Sequence, residues 1–431
     1  MDQPTSGSLR TFFGISSFQA LAMFRRGMFY SFLSVYLRYY LGLTVTETTL
    51  FATLPMVLNI VFQTFVWGRL SDRYQLRRTL IIWGELSAGV GTILVWYAHR
   101  LTDQPHLAGY VVIIGLSVIE IFWSMSNIGW SALISDIYRE ADRNAVQGRL
   151  ASVGGIGRIA GVWIGGLLYD GLNLKYDGWG FHEGSLFFVA AGVMILSVFP
   201  LLWVPEGGIH MEPGGRKEEA VQPSADAAGV FTVFLVAMVF INFGRNSIAV
   251  IMAQYLVLDS GFAVSSQTLS HIVNTQSAAM ILTGLVAGWL GRRIGDGWSM
   301  CLGALVATAS LGLITVTGSL PLIYVGNFLR GASEVIIMAA SYAFASVLIP
   351  PEKRGRLFSV FNATFFLSWG LAGTFIAGPI IDILISRGTA DMFAYRMAFL
   401  SATILTLIGL IIQAWLVFSI KAKGDSALSN R

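Results

Sequence analysis

Eight ionisable side chains interrupt long apolar runs: Arg25, Arg26, Arg158, Arg245 and Arg330, with Glu85, Glu120 and Glu334. A charged group at the centre of a bilayer costs at least ~2.5–3.5 kcal/mol on insertion scales, so each is a candidate for function. Arginine offers a planar fork of donors that matches a carboxylate or phosphate. A carboxyl in a poorly hydrated place holds its proton more tightly than in water and can load and release one near neutral pH. Arg26 and Arg245 therefore read as candidate substrate-binding groups for an anion, and Glu120 and Glu334 as candidates for proton coupling. Arg158 is a candidate charge partner for these acids, as is Arg330, which lies four residues before Glu334 on the same helical face. The alternative for all of them is static ion pairing that holds helices together. Arg25 points some 100° away from Arg26, and Glu85 reads as a structural acid near a span end. Five arginines against three glutamates leave a net positive interior, which favours an anionic or zwitterionic solute. Tyr30 and Trp123 are candidates to line its cavity.

The elements that carry these residues must be membrane helices. Of the 431 residues 55% are hydrophobic and 12% charged, against about 25% charged in a soluble domain. A helix needs about 20 apolar residues to cross the hydrocarbon. Twelve stretches qualify: 14–40, 48–68, 79–98, 108–134, 149–171, 185–204, 230–257, 268–290, 299–317, 321–348, 357–385 and 396–418. They are continuous rather than alternating, which excludes barrel strands. The expected fold is all-α: twelve transmembrane helices in two six-helix bundles, residues 1–204 and 230–420. A polar Gly/Pro/Glu-rich linker, 205–229, joins them, and a short tail, 421–431, follows. The linker cannot bury a core and reads as mobile.

Eighteen Lys and Arg fall in termini and loops on one side of this topology and five on the other. The positive-inside rule puts the richer side, with both termini and the linker, in the cytoplasm of a multi-pass cell-membrane protein. The same asymmetry accounts for the net charge of +4 without nucleic acid. The single cysteine, Cys301, and the scattered histidines give no metal-ligand spacing, so no metal or cofactor is expected.

The halves repeat. Phe24-Arg25-Arg26 aligns with Phe243-Gly244-Arg245, Gly42 with Gly261, and Gly68, Leu70 and Arg73 with Gly288, Leu290 and Arg293. Glu120 aligns with Glu334 and Asp170 with Asp382. Arg26 and Arg245 each precede their glycine by sixteen residues, which places them at one depth. Gly154, Gly157, Gly161 and Gly165 form a small-residue stripe for close helix packing.

The loop after the second span reads Gly68-Arg69-Leu70-Ser71-Asp72-Arg73-Tyr74-Gln75-Leu76-Arg77-Arg78. It resembles the G-x-L-a-D-R-x-G-R-R signature of the major facilitator superfamily, departing at Gln75 and Leu76. The second copy, Gly288 to Gly295, has Arg292 where the acid belongs. The segments Asp136 to Arg149 and Pro350 to Arg356 are also similar to that superfamily. The resemblance implies alternating access by two bundles and a gating role for Gly68, Asp72, Arg73, Arg77 and Arg78. Gly68 would let helices approach closely, and the arginines would pair with acids such as Asp136. Arginines on spans one and seven resemble those of organophosphate:phosphate antiporters. The chain departs from those in its spacing from arginine to loop glycine and in lacking a histidine on span four.

The reading is a secondary transporter of a small organic solute, proton-coupled, working as a monomer in the bilayer by symport or antiport. A proton-driven multidrug or metabolite exporter is the alternative within the superfamily. A non-transporting sensor would bring a soluble effector domain, which the sequence lacks. No catalytic constellation and no phosphate-binding G-x-x-x-x-G-K-[ST] loop are present, so neither an enzyme nor an ATP-driven pump is expected.

Overall fold

The computed structural model describes residues 9–138, 140–171, 178–207, 225–349 and 354–429. Most of the expected linker, Arg139 and Pro350–Lys353 lie outside the described residues. Every regular element described is helical. Nine helices or merged helical runs are long and apolar enough to cross a membrane among the described residues. Three more of the twelve expected spans are helical but fall short of that measure. Ser185–Leu201 is short. Leu9–Val35 is diluted by Arg25 and Arg26, and Ser266–Ile294 by Gln, His, Asn and two terminal arginines.

Contacts divide the chain into two units: Met1–Pro213 with Ala263–Asn274, and Gly214–Phe262 with Thr275–Arg431. In the first, α1 (Leu9–Val35) continues through a π-helical turn, Tyr36–Tyr40. Next comes α2 (Val45–Phe62), whose start is fixed by a capping box between Thr44 and Glu47. A second π-turn, Gln63–Trp67, joins it to α3 (Gly68–Tyr74). Then follow α4 (Arg78–Arg100), α5 (Pro105–Ile137), α6 (Glu140–Tyr169), the short α7 (Trp179–His182) and α8 (Ser185–Leu201). Helix α1 packs on α6 and α8, and α4 on α5 and α8. Ile15, Phe18, Ile81, Leu133, Leu150 and Leu201 form an apolar core at one end.

The second unit contains α9 (Ala225–Ser247), α10 (Ile251–Val257), most of α11 (Ser266–Ile294), α12 (Asp296–Val316) and α13 (Leu320–Leu348). It ends with α14 (Arg354–Ala372), a π-turn Gly373–Ala377, α15 (Gly378–Ser386) and α16 (Asp391–Ser429), which runs as helix into the expected tail. Helix α9 packs on α14 and α16, and α12 on α13 and α16. These are the pairings of the first unit repeated. Phe234, Met238, Ile241, Met300, Ile337 and Leu416 are in its core.

The glycine stripe acts as its spacing predicts. A Cβ on Gly157 or Gly161 would collide with the carbonyl oxygen of Ala20 or Phe24 on α1, and one on Gly165 would lie 2.6 Å from that of Met28. Backbone cannot yield as a side chain can. Gly161→Leu is therefore expected to separate α1 from α6 and lower the Tm of the purified protein by several degrees. Gly192→Leu, where a Cβ meets nothing within 4 Å, is the control and should change little.

Candidate functional site

In the first unit the charges of α1 divide by face. Arg25 is 3% exposed, and its Nη1 lies 2.9 Å from Oε2 of Glu85 on α4. Ser126 on α5 donates to the other Glu85 oxygen at 2.9 Å. The guanidinium stands 4.2 Å over the Trp123 ring, a cation–π contact. Static pairing is thus realised by Arg25 and Glu85, which the sequence left outside the site. Tyr30, Trp123 and Arg25 border a cavity of about 10 Å³, room for one water. Losing one partner of such a pair leaves a buried uncompensated charge, at a cost of about 3–5 kcal/mol. Glu85→Ala is expected to lower thermal stability by that order, whereas Glu85→Gln keeps acceptors for Arg25 and loses less. Equal, small Tm shifts in both would contradict the pair's structural role.

Arg26 faces the other way. It is exposed, with Nη2 3.5 Å from Asn127 Oδ1 and no ion pair among the described residues. Glu120 on α5 is half-buried and accepts a hydrogen bond from Asn59 on α2 at 2.5 Å. It lies within electrostatic range of both Arg25 and Arg26. Arg158 on α6 packs its aliphatic stem towards Gly27.

The second unit presents a parallel set. Arg245 on α9 is 6% exposed. Its Nε donates to Asn242 at 3.1 Å and its guanidinium stands 5.4 Å over Phe365 on α14. Its two terminal nitrogens have no partner among the described residues. Asn242 donates to Thr364 at 3.2 Å and Asn246 to Ser368 at 2.8 Å. Just beyond, helix α9 breaks at Ile248–Val250 before α10 begins, and broken helices of this kind carry the binding sites of many transporters. Glu334 on α13 accepts from Gln276 on α11 at 3.1 Å and lies within electrostatic range of Arg245. Arg330 lies one turn before it, half-buried.

The loop joining α3 to α4 is tied into its own unit. Arg77 meets Asp136 at 3.1 Å, as expected, and also contacts Ser71. Arg78 pairs with Glu206 at 3.2 Å. Glu206 accepts from the backbone N–H groups of Arg77 and Thr79, both at 3.0 Å, at the start of α4. So the first residues of the expected linker are anchored. Arg73 is exposed beside Tyr74, and the Asp72 side chain lies outside the described residues. Gln75 has φ 54, the left-handed conformation that explains a glycine in the signature and is strained for glutamine. Gly68 needs correction. Among the described residues, the atom a Cβ there would meet is the Gln63 carbonyl oxygen of its own helix, at 2.9 Å. Gly68 thus accommodates the π-turn, and no described neighbouring helix approaches it.

The Major Facilitator Superfamily profile matches this chain twice, over residues 15–240 and 234–430. The chain belongs to the major facilitator superfamily. Two matches in tandem correspond to the two repeats. Among curated proteins no sequence matches it. Among solved structures, a bacterial homolog of the human lysosomal transporter Spinster is 14% identical with a TM-score of 0.70, covering 95% of this chain and 98% of its own. The nucleoside transporter NupG is 15% identical at 0.70, covering 95% and 100%. A POT family transporter in complex with a thioalcohol-conjugated peptide is 14% identical at 0.68, covering 94% and 96%. At such identity the likeness is one of fold. As a superfamily member the chain is a multi-pass membrane transporter.

Sequence reasoning missed Asn59, Gln276, Glu206 and the Asn242–Asn246–Thr364–Ser368 seam. The signal was present: amides at 242 and 246 flank Arg245 one turn apart, and hydroxyls at 364 and 368 repeat that spacing.

Proposed function

We propose that this transporter carries a small anionic or zwitterionic organic solute by alternating access, coupled to protons. The observation that carries the reading is Arg245: a nearly buried guanidinium within an apolar helix, fixed through Nε and an aromatic face, with both terminal nitrogens unpartnered among the described residues. An anion would satisfy it. Arg26 is the matching group of the first unit, free of the acid that neutralises Arg25. Glu120 and Glu334 would exchange protons as solute arrives and leaves, each oriented by an amide from a neighbouring helix. Asp72 with Arg73, Arg77 and Arg78 would form contacts that hold one gate shut. The proposed division is bundles 1–204 and 230–420 with a linker between, acting as a monomer. The solved relatives named for nucleosides and for a peptide conjugate support a polar organic cargo. The test is an uptake screen of organic anions and zwitterions in proteoliposomes with and without a proton gradient. Saturable, gradient-stimulated uptake of an anion or zwitterion supports the reading, and uptake confined to cations or neutral drugs refutes it.

The proposed orientation places both termini and the linker in the cytoplasm of a cell membrane. In a Cys301→Ser background, Thr389→Cys should react with an impermeant thiol reagent on intact cells and Ser224→Cys should not. The reverse pattern would invert the topology.

A further inference from the structure

A second cavity, of about 210 Å³, lies in the first unit among Tyr36, Tyr40, His99, Arg100, Asp103 and His182. Helix α4 runs from Arg78 to Arg100, 23 residues, about 34 Å at 1.5 Å per residue. The cavity is thus at the opposite end of the unit from the 68–78 loop, with Tyr36 ten residues beyond Arg26 and Ala108 twelve before Glu120 along their helices, about 15–18 Å away. It has room for several waters, or one small organic molecule.

Its walls offer two kinds of chemistry. Tyr36 and Tyr40 stack with centroids 5.1 Å apart, and Tyr40 meets the His182 ring at 5.0 Å. Tyr36 is buried and also stacks on Phe181 at 5.0 Å, so the exposed Tyr40 ring and a carboxylate, Asp103, are the groups that suit an ammonium. Asp103 is exposed and makes no ion pair among the described residues. On the other side, Arg100 has no carboxylate partner among the described residues. Its Nη1 contacts Nε2 of His182 and lies 2.9 Å from Nδ1, and burial together with the Arg100 charge lowers the pKa of that ring. Glu183, 3.8 Å from His182, is the remaining nearby acid. Arg100 therefore has donors to spare for a carboxylate. His99 is not available: its Nδ1 donates to the Trp96 carbonyl at 2.7 Å, and its Nε2 accepts from Tyr36 at 3.2 Å. The rest of the wall includes the apolar Leu41, Pro105 and Ala108.

We propose that this cavity is a binding site for a small apolar α-amino acid, its carboxylate on Arg100, its ammonium towards Asp103 and Tyr40, and its side chain against Leu41, Pro105 and Ala108. A site carrying a cation and an acid with no ion pair among the described residues favours a zwitterion over a simple anion or amine. It stands whether or not Arg26 and Arg245 hold the transported solute.

The test is equilibrium binding of radiolabelled L-valine to the purified full-length protein in lipid nanodiscs. Saturable binding is expected, displaced by L-alanine but not by isobutyrate or isobutylamine at equal concentration. Arg100→Gln and Asp103→Asn, both at exposed positions, should each weaken it at least tenfold. Arg26→Lys and Arg245→Lys should leave it unchanged, which separates this site from the proposed transport site. Absence of saturable valine binding, its survival in either Arg100→Gln or Asp103→Asn, or its loss in Arg26→Lys or Arg245→Lys would overturn the proposal.

Discussion

Arg245→Lys weakens binding of a carboxylate or phosphate solute by about 1.5–3 kcal/mol, the scale of a hydrogen bond to a charged group, or roughly ten- to a hundred-and-fiftyfold. Lysine keeps the charge but not the fork. In the wild type Nε is spent on Asn242, so on the proposed reading the two terminal nitrogens would be the pair that holds the solute. Lysine has one nitrogen to divide between those duties. Arg26→Lys should lose affinity too, and by less, because the exposed Arg26 is not fixed by a comparable set of partners. Alanine at either position should cost more. The measurement is solute affinity in purified, monodisperse lysine variants. Unchanged affinity in both would leave these arginines structural and return the drug-exporter reading to first place.

Glu120→Gln or Glu334→Gln should abolish accumulation against a gradient while sparing part of counterflow exchange. The amide mimics the protonated acid, so a loaded carrier can still reorient but has no proton to release. The geometry allows the exchange without collapse, because Glu120 accepts from Asn59 and Glu334 from Gln276, and a glutamine carbonyl can do the same. Accumulation falls to the passive level with folding intact. If both variants still concentrate solute, coupling lies in other residues.

The twelve spans and the repeat were legible because bilayer thickness imposes a length on apolar runs that composition alone reveals. The positions of the charges along the helices followed from that count. Their partners did not. Arg25 and Arg26 are neighbours in sequence, yet one is ion-paired and buried and the other exposed. Which of them meets Glu85 depends on how α1 and α4 are rotated, and no single-chain pattern records it. The break after Ser247 was hidden for a similar reason: Ile248, Ala249 and Val250 include neither proline nor glycine. Gly68 was visible but the π-turn beside it was not, since a glycine that relieves a π-turn looks in sequence like one that admits a neighbour.

The central claim, an anionic or zwitterionic solute moving with protons, is tested most directly by the protons themselves. Proteoliposomes loaded with a pH-sensitive dye are given a solute gradient and no imposed pH difference. The account predicts that the internal pH shifts in step with solute entry, that Glu120→Gln and Glu334→Gln suppress the shift, and that Arg245→Lys reduces it with solute flux. Solute equilibration with no pH change in the wild type would contradict it.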